Sequence, residues 1–239
     1  MQTVADIVKI QLSLPKKTKI KLLGDSITHG VGGTGFEQNG APIVSGFARN
    51  PNGYCWAKLF KEYMEQHYDC EVLNNACTGT DVQFIAHFFE TLVDTDDDLV
   101  ICTIGTNNRH QYCQDGEKPT KEAFFNAFVE RLNALAEQFE KLNKPVVFVA
   151  NIPASAGNEA DDLACDTPYW RILHMDDINT AYKRVTSSRN LPFISMYDLF
   201  LDYCAKNAIP LDSLLCDGLH PNDAGYRVMF DLIRDALQL

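Results

Sequence analysis

Three residues of types that cooperate in nucleophilic chemistry lie near the two ends of the sequence. Ser26 follows a short apolar run at 19–23, while Asp217 and His220 precede the last predicted helix. A serine hydroxyl is a weak nucleophile until a base takes its proton, and an imidazole oriented by a carboxylate is such a base. Pro221 disfavours helical backbone at His220, so a turn can present both side chains together. We therefore predict a Ser26, His220 and Asp217 triad, although a serine in this position is often only a helix N-cap.

Acyl transfer also needs hydrogen-bond donors for the negative oxygen of the tetrahedral intermediate. Three candidates lie where predicted strands end, namely the backbone amides of Ser26 and Gly79 and the side-chain amide of Asn107. Glycine lets the backbone approach a ligand closely. An asparagine after a strand can equally be a turn residue. We predict that the three groups form an oxyanion hole.

The elements that must hold these residues alternate along the chain. Apolar runs predict strands over 19–23, 71–73, 99–104, 145–150 and 192–195. Apolar residues at helical spacing predict helices over 54–68, 81–93, 120–142, 175–188, 197–206 and 223–237, the last with Asn222 as its N-cap. This alternation predicts an α/β fold with a mainly parallel sheet covered on both faces. Ligands of such sheets bind at the carboxyl ends of the strands. The segment 30–53, rich in Gly, Asn and Pro, and the segment 151–167, rich in Ala, Asn and Asp, are predicted to be loops, the first at the edge of the site.

Composition excludes several classes of protein. The 239 residues, 46% of them apolar, suit one domain spanning 1–239 with its core over about 19–239. The net charge of −11 argues against binding to nucleic acid or to anionic membranes. We find no apolar segment long enough for a signal peptide or a membrane span, so we expect a cytoplasmic protein without stable membrane insertion. The eight cysteines form no Cys-x-x-Cys pair, which argues against a zinc ribbon or a thioredoxin-type site. The oligomeric state stays open.

Two other patterns suggest ligand sites, and we give both a different interpretation. Residues 30–35 read Gly-Val-Gly-Gly-Thr-Gly, the letters of a dinucleotide-binding fingerprint. The predicted strand ends too early, no helix follows, and no acid lies about twenty residues further on, so we interpret the segment as a flexible loop. The acidic run 94–98 can attract a cation, but a solvated turn before a strand is the simpler interpretation. We expect neither a metal nor a cofactor.

Four segments, taken together, resemble the conserved blocks of the SGNH (GDSL-type) hydrolases. Residues 24–28, Gly-Asp-Ser-Ile-Thr, resemble the first block, with Ser26 as the nucleophile and the first oxyanion donor. Gly79 resembles the glycine of the second block, residues 105–107 the Gly-x-Asn of the third, and residues 217–222 the last block. The segments occur in the order of the family. One departure is Asn108, which stands where the family usually has Asp.

The resemblance implies a flavodoxin-like three-layer α/β/α sandwich and hydrolysis of an ester or thioester without a metal. Its expected partner is a small-molecule ester, cleaved through an acyl-enzyme on Ser26 by the triad with Asp217 and His220. The polar loop at 30–53 favours a short acyl group, such as acetyl, on a polar alcohol or a carbohydrate. The alternatives are a lysophospholipase, an acyl-thioesterase, or a catalytically silent binding protein on the same fold.

Four further residues, within or next to these blocks, are assigned to a possible pocket. They are Asp25, His29, Asn108 and Arg109. We expect Asp25 to brace the loop that carries the nucleophile. His29 is either a second base or a substrate contact, but a loop histidine is more often simply exposed.

Overall fold

The computed structural model describes residues 3–36, 41–42, 48–49, 53–112, 117–160 and 169–239. Its strands are β1 (Thr18–Gly24), β2 (Cys70–Asn74), β3 (Leu99–Thr103), β4 (Val146–Ala150) and β5 (Phe193–Ser195). Its helices are α1 (Val4–Leu12), α2 (Ser26–His29), α3 (Trp56–His67), α4 (Val82–His87), α5 (Phe89–Leu92), α6 (Lys121–Lys141), α7 (Ala156–Glu159), α8 (Met175–Arg189), α9 (Met196–Asn207) and α10 (Asp223–Leu237). Single 3₁₀ turns occupy Thr106–Arg109 and Leu211–Leu214. Two short antiparallel pairs join Ala41–Pro42 to Ala48–Arg49 and His110–Tyr112 to Tyr169–Arg171.

The five main strands form one parallel sheet in the order β2-β1-β3-β4-β5. This order confirms the predicted α/β fold with a flavodoxin-like sheet. The order reverses between β1 and β3, and ligands of such sheets bind outside the carboxyl ends of the strands at that reversal. Ser26 follows β1 and Asn107 follows β3, so the topology brings both to this edge.

Each face of the sheet has its own apolar core. In β1, Ile20 and Leu22 face a core built with α1, α3, α9 and α10, whereas Leu23 faces a core built with α4, α5, α6 and α8. Alternate residues of a strand point to opposite faces, and helices on both sides bury both sets. None of the described helices combines the length and the apolar composition needed to cross a bilayer.

The predicted strands and most of the predicted helices are confirmed, and two differences stand out. The helix predicted over 81–93 is wrong as a single element, because the helical hydrogen bonding restarts at Phe88 and divides it into α4 and α5. Helix α1 was not predicted. The cap of α10 is confirmed, since the Asn222 side chain accepts the amide hydrogen of Gly225 at 3.0 Å. Much of the predicted loops at 30–53 and 151–167 lies outside the described residues.

The acidic run before β3 is a turn whose charges are balanced by lysines. The Lys21 ammonium lies 2.7 Å from Asp94 and 3.4 Å from Asp97, and Lys19 pairs with Asp96. One oxygen of each of the three carboxylates lies within 4.8 Å of the others, and each carboxylate is paired with a lysine. The prediction of a turn is confirmed, although it is only partly solvated.

Lys21, on β1, is the unusual member of this group, because its side chain is fully buried. The side chain of its partner Asp97 is also buried, with 1% exposed. Burial raises the pKa of Asp97, and the positive charge of Lys21 acts in the opposite direction. A buried carboxylate without a positive partner is costly in free energy. Lys21 therefore stabilises the fold mainly because it keeps Asp97 from being buried and unpaired.

We predict that Lys21→Met lowers the free energy of unfolding by about 3–5 kcal/mol, because it leaves Asp97 buried and unpaired. Lys19→Met is the matched control, since Lys19 lies on the same strand but forms an exposed pair that we expect to contribute little to stability. Urea unfolding at neutral pH measures both variants. Equal losses of unfolding free energy in the two variants would contradict the assignment of Lys21 and Asp97 as a buried pair that stabilises the fold.

Candidate active site

Ser26 is the first residue of the single-turn helix α2, directly after β1. The Asp25 carboxylate caps this helix by accepting the amide hydrogen of Ile27 at 3.1 Å. Gly24 at the end of β1 packs so tightly that a Cβ atom there would lie 2.7 Å from the carbonyl oxygen of Thr103. Strand β1 and the cap therefore hold Ser26 at the carboxyl edge of the sheet.

The side chains of Ser26, His220 and Asp217 form a continuous chain of hydrogen bonds. The Ser26 hydroxyl lies 2.8 Å from Nε2 of His220, across 194 positions of sequence. The other ring nitrogen, Nδ1, lies 2.7 Å from Oδ2 of Asp217. A carboxylate only accepts, so Nδ1 carries the hydrogen and Nε2 is free to accept from the serine hydroxyl. This is the tautomer that a general base at Nε2 requires.

The turn before α10 fixes the carboxylate of Asp217. Its Oδ1 atom accepts the backbone amides of Leu219 at 3.0 Å and His220 at 2.7 Å. Burial raises the pKa of Asp217, but the hydrogen bonds from the backbone and ring of His220 outweigh burial and hold the pKa below its usual value. The carboxylate is therefore ionised at neutral pH and favours the Nδ1–H form of the imidazole.

Hydrogen bonds from two directions hold the turn at 217–220 and the helix that follows it against the edge of the sheet. The phenolic hydroxyl of Tyr226, on α10, donates to the carbonyl oxygen of Val31 at 2.6 Å. The amide of Ser155, after β4, donates to the carbonyl oxygen of Gly218 at 2.8 Å. The imidazole is thus positioned by the chain that follows β1 and by the chain that follows β4.

The three predicted oxyanion donors come from the ends of three neighbouring strands, β2, β1 and β3. Gly79 is exposed, has a φ of +81°, and a Cβ atom built on it would meet nothing within 4 Å. Within the described part of the chain, the amides of Ser26 and Gly79 donate to no acceptor. The side-chain amide of Asn107 donates to the carbonyl oxygen of Thr80 at 2.8 Å, which leaves its second hydrogen for a ligand.

Asp25 lies beneath Ser26 in a buried polar group. It is fully buried, and its Oδ2 atom accepts from the side chain of Asn151 at 2.9 Å. The same amide nitrogen of Asn151 lies 2.6 Å from the hydroxyl of Thr106. Burial raises the pKa of Asp25, and a hydrogen bond from Thr106 opposes that effect. We did not identify Asn151 from the sequence, although its position directly after a buried strand was the available signal.

Asn108 and Arg109 are also buried and contact other loops. The carbonyl oxygen of the Asn108 side chain accepts the amide hydrogen of Val82 at 3.0 Å, and its nitrogen donates to Gln83 at 2.7 Å. The departure from the usual Asp therefore adds a donor at the start of α4. Arg109 donates to Glu159 at 3.1 Å, and burial lowers the pKa of its guanidinium to about 10.

His29 is not the exposed loop histidine that the sequence favoured. It lies at the end of α2, is 1% exposed, and packs edge-on against Phe36. Its Nδ1 atom lies 2.8 Å from the Thr78 hydroxyl and accepts the Thr78 amide hydrogen at 3.1 Å. Burial lowers the pKa of His29 to about 4, so the ring is neutral at neutral pH. The expectation of an exposed side chain is therefore wrong, because α2 turns the ring inward.

Comparison with solved structures agrees with this fold. Solved structures similar to the chain include a catalytic mutant of the acetylxylan esterase Axe2 from Geobacillus stearothermophilus, at 15% identity and a TM-score of 0.65, over 95% of this chain and 96% of that one. The acetyl xylan esterase AlAXEase is 19% identical, with a TM-score of 0.62, over 92% and 99%. The lipase/acylhydrolase from Enterococcus faecalis is 20% identical, with a TM-score of 0.61, over 92% and 95%. No curated protein matches the chain.

The sequence shows the family to which the chain belongs. The model of the GDSL-like Lipase/Acylhydrolase family matches residues 22–228, which include every block named above. The chain belongs to this family, and its class of reaction is the hydrolysis of carboxylic esters.

Proposed function

We propose that this protein is a serine esterase that removes short acyl groups, acetyl foremost, from a polar alcohol or a carbohydrate. The observation that carries the proposal is the unbroken chain of hydrogen bonds from the Ser26 hydroxyl through His220 to the Asp217 carboxylate. A nucleophile, a base and an orienting acid in this order are the parts that acyl transfer through a covalent intermediate needs.

In the first half of the proposed reaction, Ser26 Oγ attacks the carbonyl carbon of the ester while His220 Nε2 takes the hydroxyl proton. Asp217 holds the ring and stabilises the imidazolium that forms. The new oxyanion accepts hydrogen bonds from the amides of Ser26 and Gly79 and from the side chain of Asn107. Donors that are already in place cost no reorganisation when the charge develops, and each is worth about 2.7–4 kcal/mol of the barrier.

The intermediate collapses when His220 returns the proton to the leaving alcohol, and an acyl group then remains on Ser26 Oγ. Water takes the place of the alcohol, gives its proton to His220 Nε2, and attacks the acyl carbon. The second tetrahedral intermediate expels Ser26 Oγ, which recovers its proton from the imidazole. The products are the carboxylic acid and the free enzyme, and no step needs a metal.

The preference for a short acyl group has two supports. The segment 30–53 is rich in Gly and Asn, which favours a polar surface beside the nucleophile. Two of the similar structures are named as acetylxylan esterases. Two enzymatic alternatives are a lysophospholipase and an acyl-thioesterase, which act on longer acyl chains or on thioesters. The remaining alternative is a binding protein without turnover.

Ser26→Ala is expected to reduce the hydrolysis of an aryl acetate by about 10⁵–10⁶-fold, because no other described group replaces the nucleophile. Steady-state rates measure the loss, and thermal unfolding measures whether the fold persists. Ser188→Ala is the matched control, since Ser188 is an exposed serine on α8, and it should retain full activity. Turnover by a folded Ser26→Ala variant at a rate near that of the native protein would refute the proposal.

A series of aryl esters with acyl chains of increasing length tests the proposed substrate class. We expect kcat/KM to be highest for acetate and to fall steadily toward octanoate, since a polar pocket gains little from added methylene groups. The corresponding thioesters should react no faster than the oxygen esters. A maximum at octanoate would favour the lysophospholipase alternative, and a maximum at a thioester would favour the thioesterase.

A further inference from the structure

His29 connects the helix of the nucleophile to the loop that carries Gly79. The ring lies on the same helical turn as Ser26, and its Nδ1 atom receives two hydrogen bonds from Thr78, the residue before Gly79. One donor is the backbone amide of Thr78 and the other is its hydroxyl. The backbone conformation just before Gly79 is thus tied to the imidazole of His29.

These contacts define the tautomer of the His29 ring. A backbone amide can only donate, so Nδ1 must be the acceptor and the hydrogen of the neutral ring lies on Nε2. Within the described residues, Nε2 is buried and makes no hydrogen bond. A ring with one nitrogen fully engaged and the other shielded from solvent is poorly placed to exchange protons with a substrate. This excludes the second-base role that the sequence left open.

The loop at 77–80 is held at further points. The amide of Cys77 donates to the carbonyl oxygen of Gly24 at 3.0 Å, next to the nucleophile loop. The carbonyl oxygen of Thr80 accepts the side-chain amide of Asn107 at 2.8 Å. Contacts on both sides of Gly79 therefore link it to β1 and α2 and to the third predicted oxyanion donor.

We propose that His29 is a positioning residue for the oxyanion hole, which holds the Thr78–Gly79 peptide so that the Gly79 amide points at the developing negative charge. The inference rests on the proposed function, because it assigns the Gly79 amide to the oxyanion. Its physical basis is preorganisation, since a donor displaced by about 1 Å can cost on the order of 100-fold in rate without weakening ground-state binding.

Two substitutions of His29 separate the hydrogen bond from the packing. In His29→Asn the side-chain oxygen takes the place of Nδ1 as acceptor, whereas His29→Leu keeps apolar bulk but cannot accept. We expect His29→Leu to lower kcat for an aryl acetate by about 10- to 100-fold with KM changed by less than about twofold. His29→Asn should recover most of kcat. His67→Leu, an exposed histidine on α3, is the matched control and should behave as the native protein.

A transition-state analogue gives a readout that a purely structural role would not change. An alkyl trifluoromethyl ketone adds to the serine and places a negative oxygen in the hole, so its inhibition constant should rise across the variants in proportion to the loss of kcat/KM.

Thr78→Val, which removes only the hydroxyl donor, should lower kcat by about fivefold. Adding it to His29→Leu should cost no more than about a further twofold, because the two changes break the same contact.

The outcomes distinguish this inference from the proposed function. Turnover by folded Ser26→Ala would overturn both, since no oxyanion would then form on Ser26. An inactive Ser26→Ala together with native kcat and native inhibition in His29→Leu would overturn only the role of His29. Should His29→Leu fail to fold, Thr78→Val decides alone: a fall in kcat with parallel loss of inhibitor affinity supports the inference, and native values refute it.

Discussion

The contact on which the site depends is the 2.8 Å hydrogen bond between the Ser26 hydroxyl and Nε2 of His220. Neither partner is placed by its local sequence alone. Ser26 is placed by β1, which lies inside the sheet between β2 and β3. His220 is placed by α10, which packs against α3 and α9 and is tied to the chain after Ser26 through Tyr226 and Val31. His220 therefore meets Ser26 only when the helices on that face of the sheet have packed together.

A second constraint is the dense polar packing beneath the carboxyl edge of the sheet. Asp25, Thr106 and Asn151 follow β1, β3 and β4, and hydrogen bonds join them in the interior. Buried polar groups that satisfy one another are more rigid than exposed ones, and leaving one unpaired is costly. These contacts fix the loops relative to one another before any substrate arrives. Rigid loops are what an electrostatically preorganised site needs.

The sequence predicted the strands and the residues at their ends because both have local signals. An apolar run followed by Gly-Asp-Ser predicts a strand and a turn, and Asn222 before an apolar helical pattern predicts a cap. The burial of Lys21 and His29 could not be predicted this way. It depends on which segments the strand order brings together, since lysine is almost never fully buried unless it is paired and histidine is only sometimes buried. The break at Phe88 could not be predicted either, because the helical spacing of apolar residues continues through it. Tertiary packing, and not the local sequence, sets this break.

The most direct test of the account is a crystal structure of the protein after reaction with a diethyl aryl phosphate, which traps a stable mimic of the tetrahedral intermediate. The account predicts phosphorus bonded to Ser26 Oγ, with the phosphoryl oxygen about 2.7–3.1 Å from the amides of Ser26 and Gly79 and from the Asn107 side chain. Phosphorus on another residue would contradict the account, as would a phosphoryl oxygen that points away from all three donors.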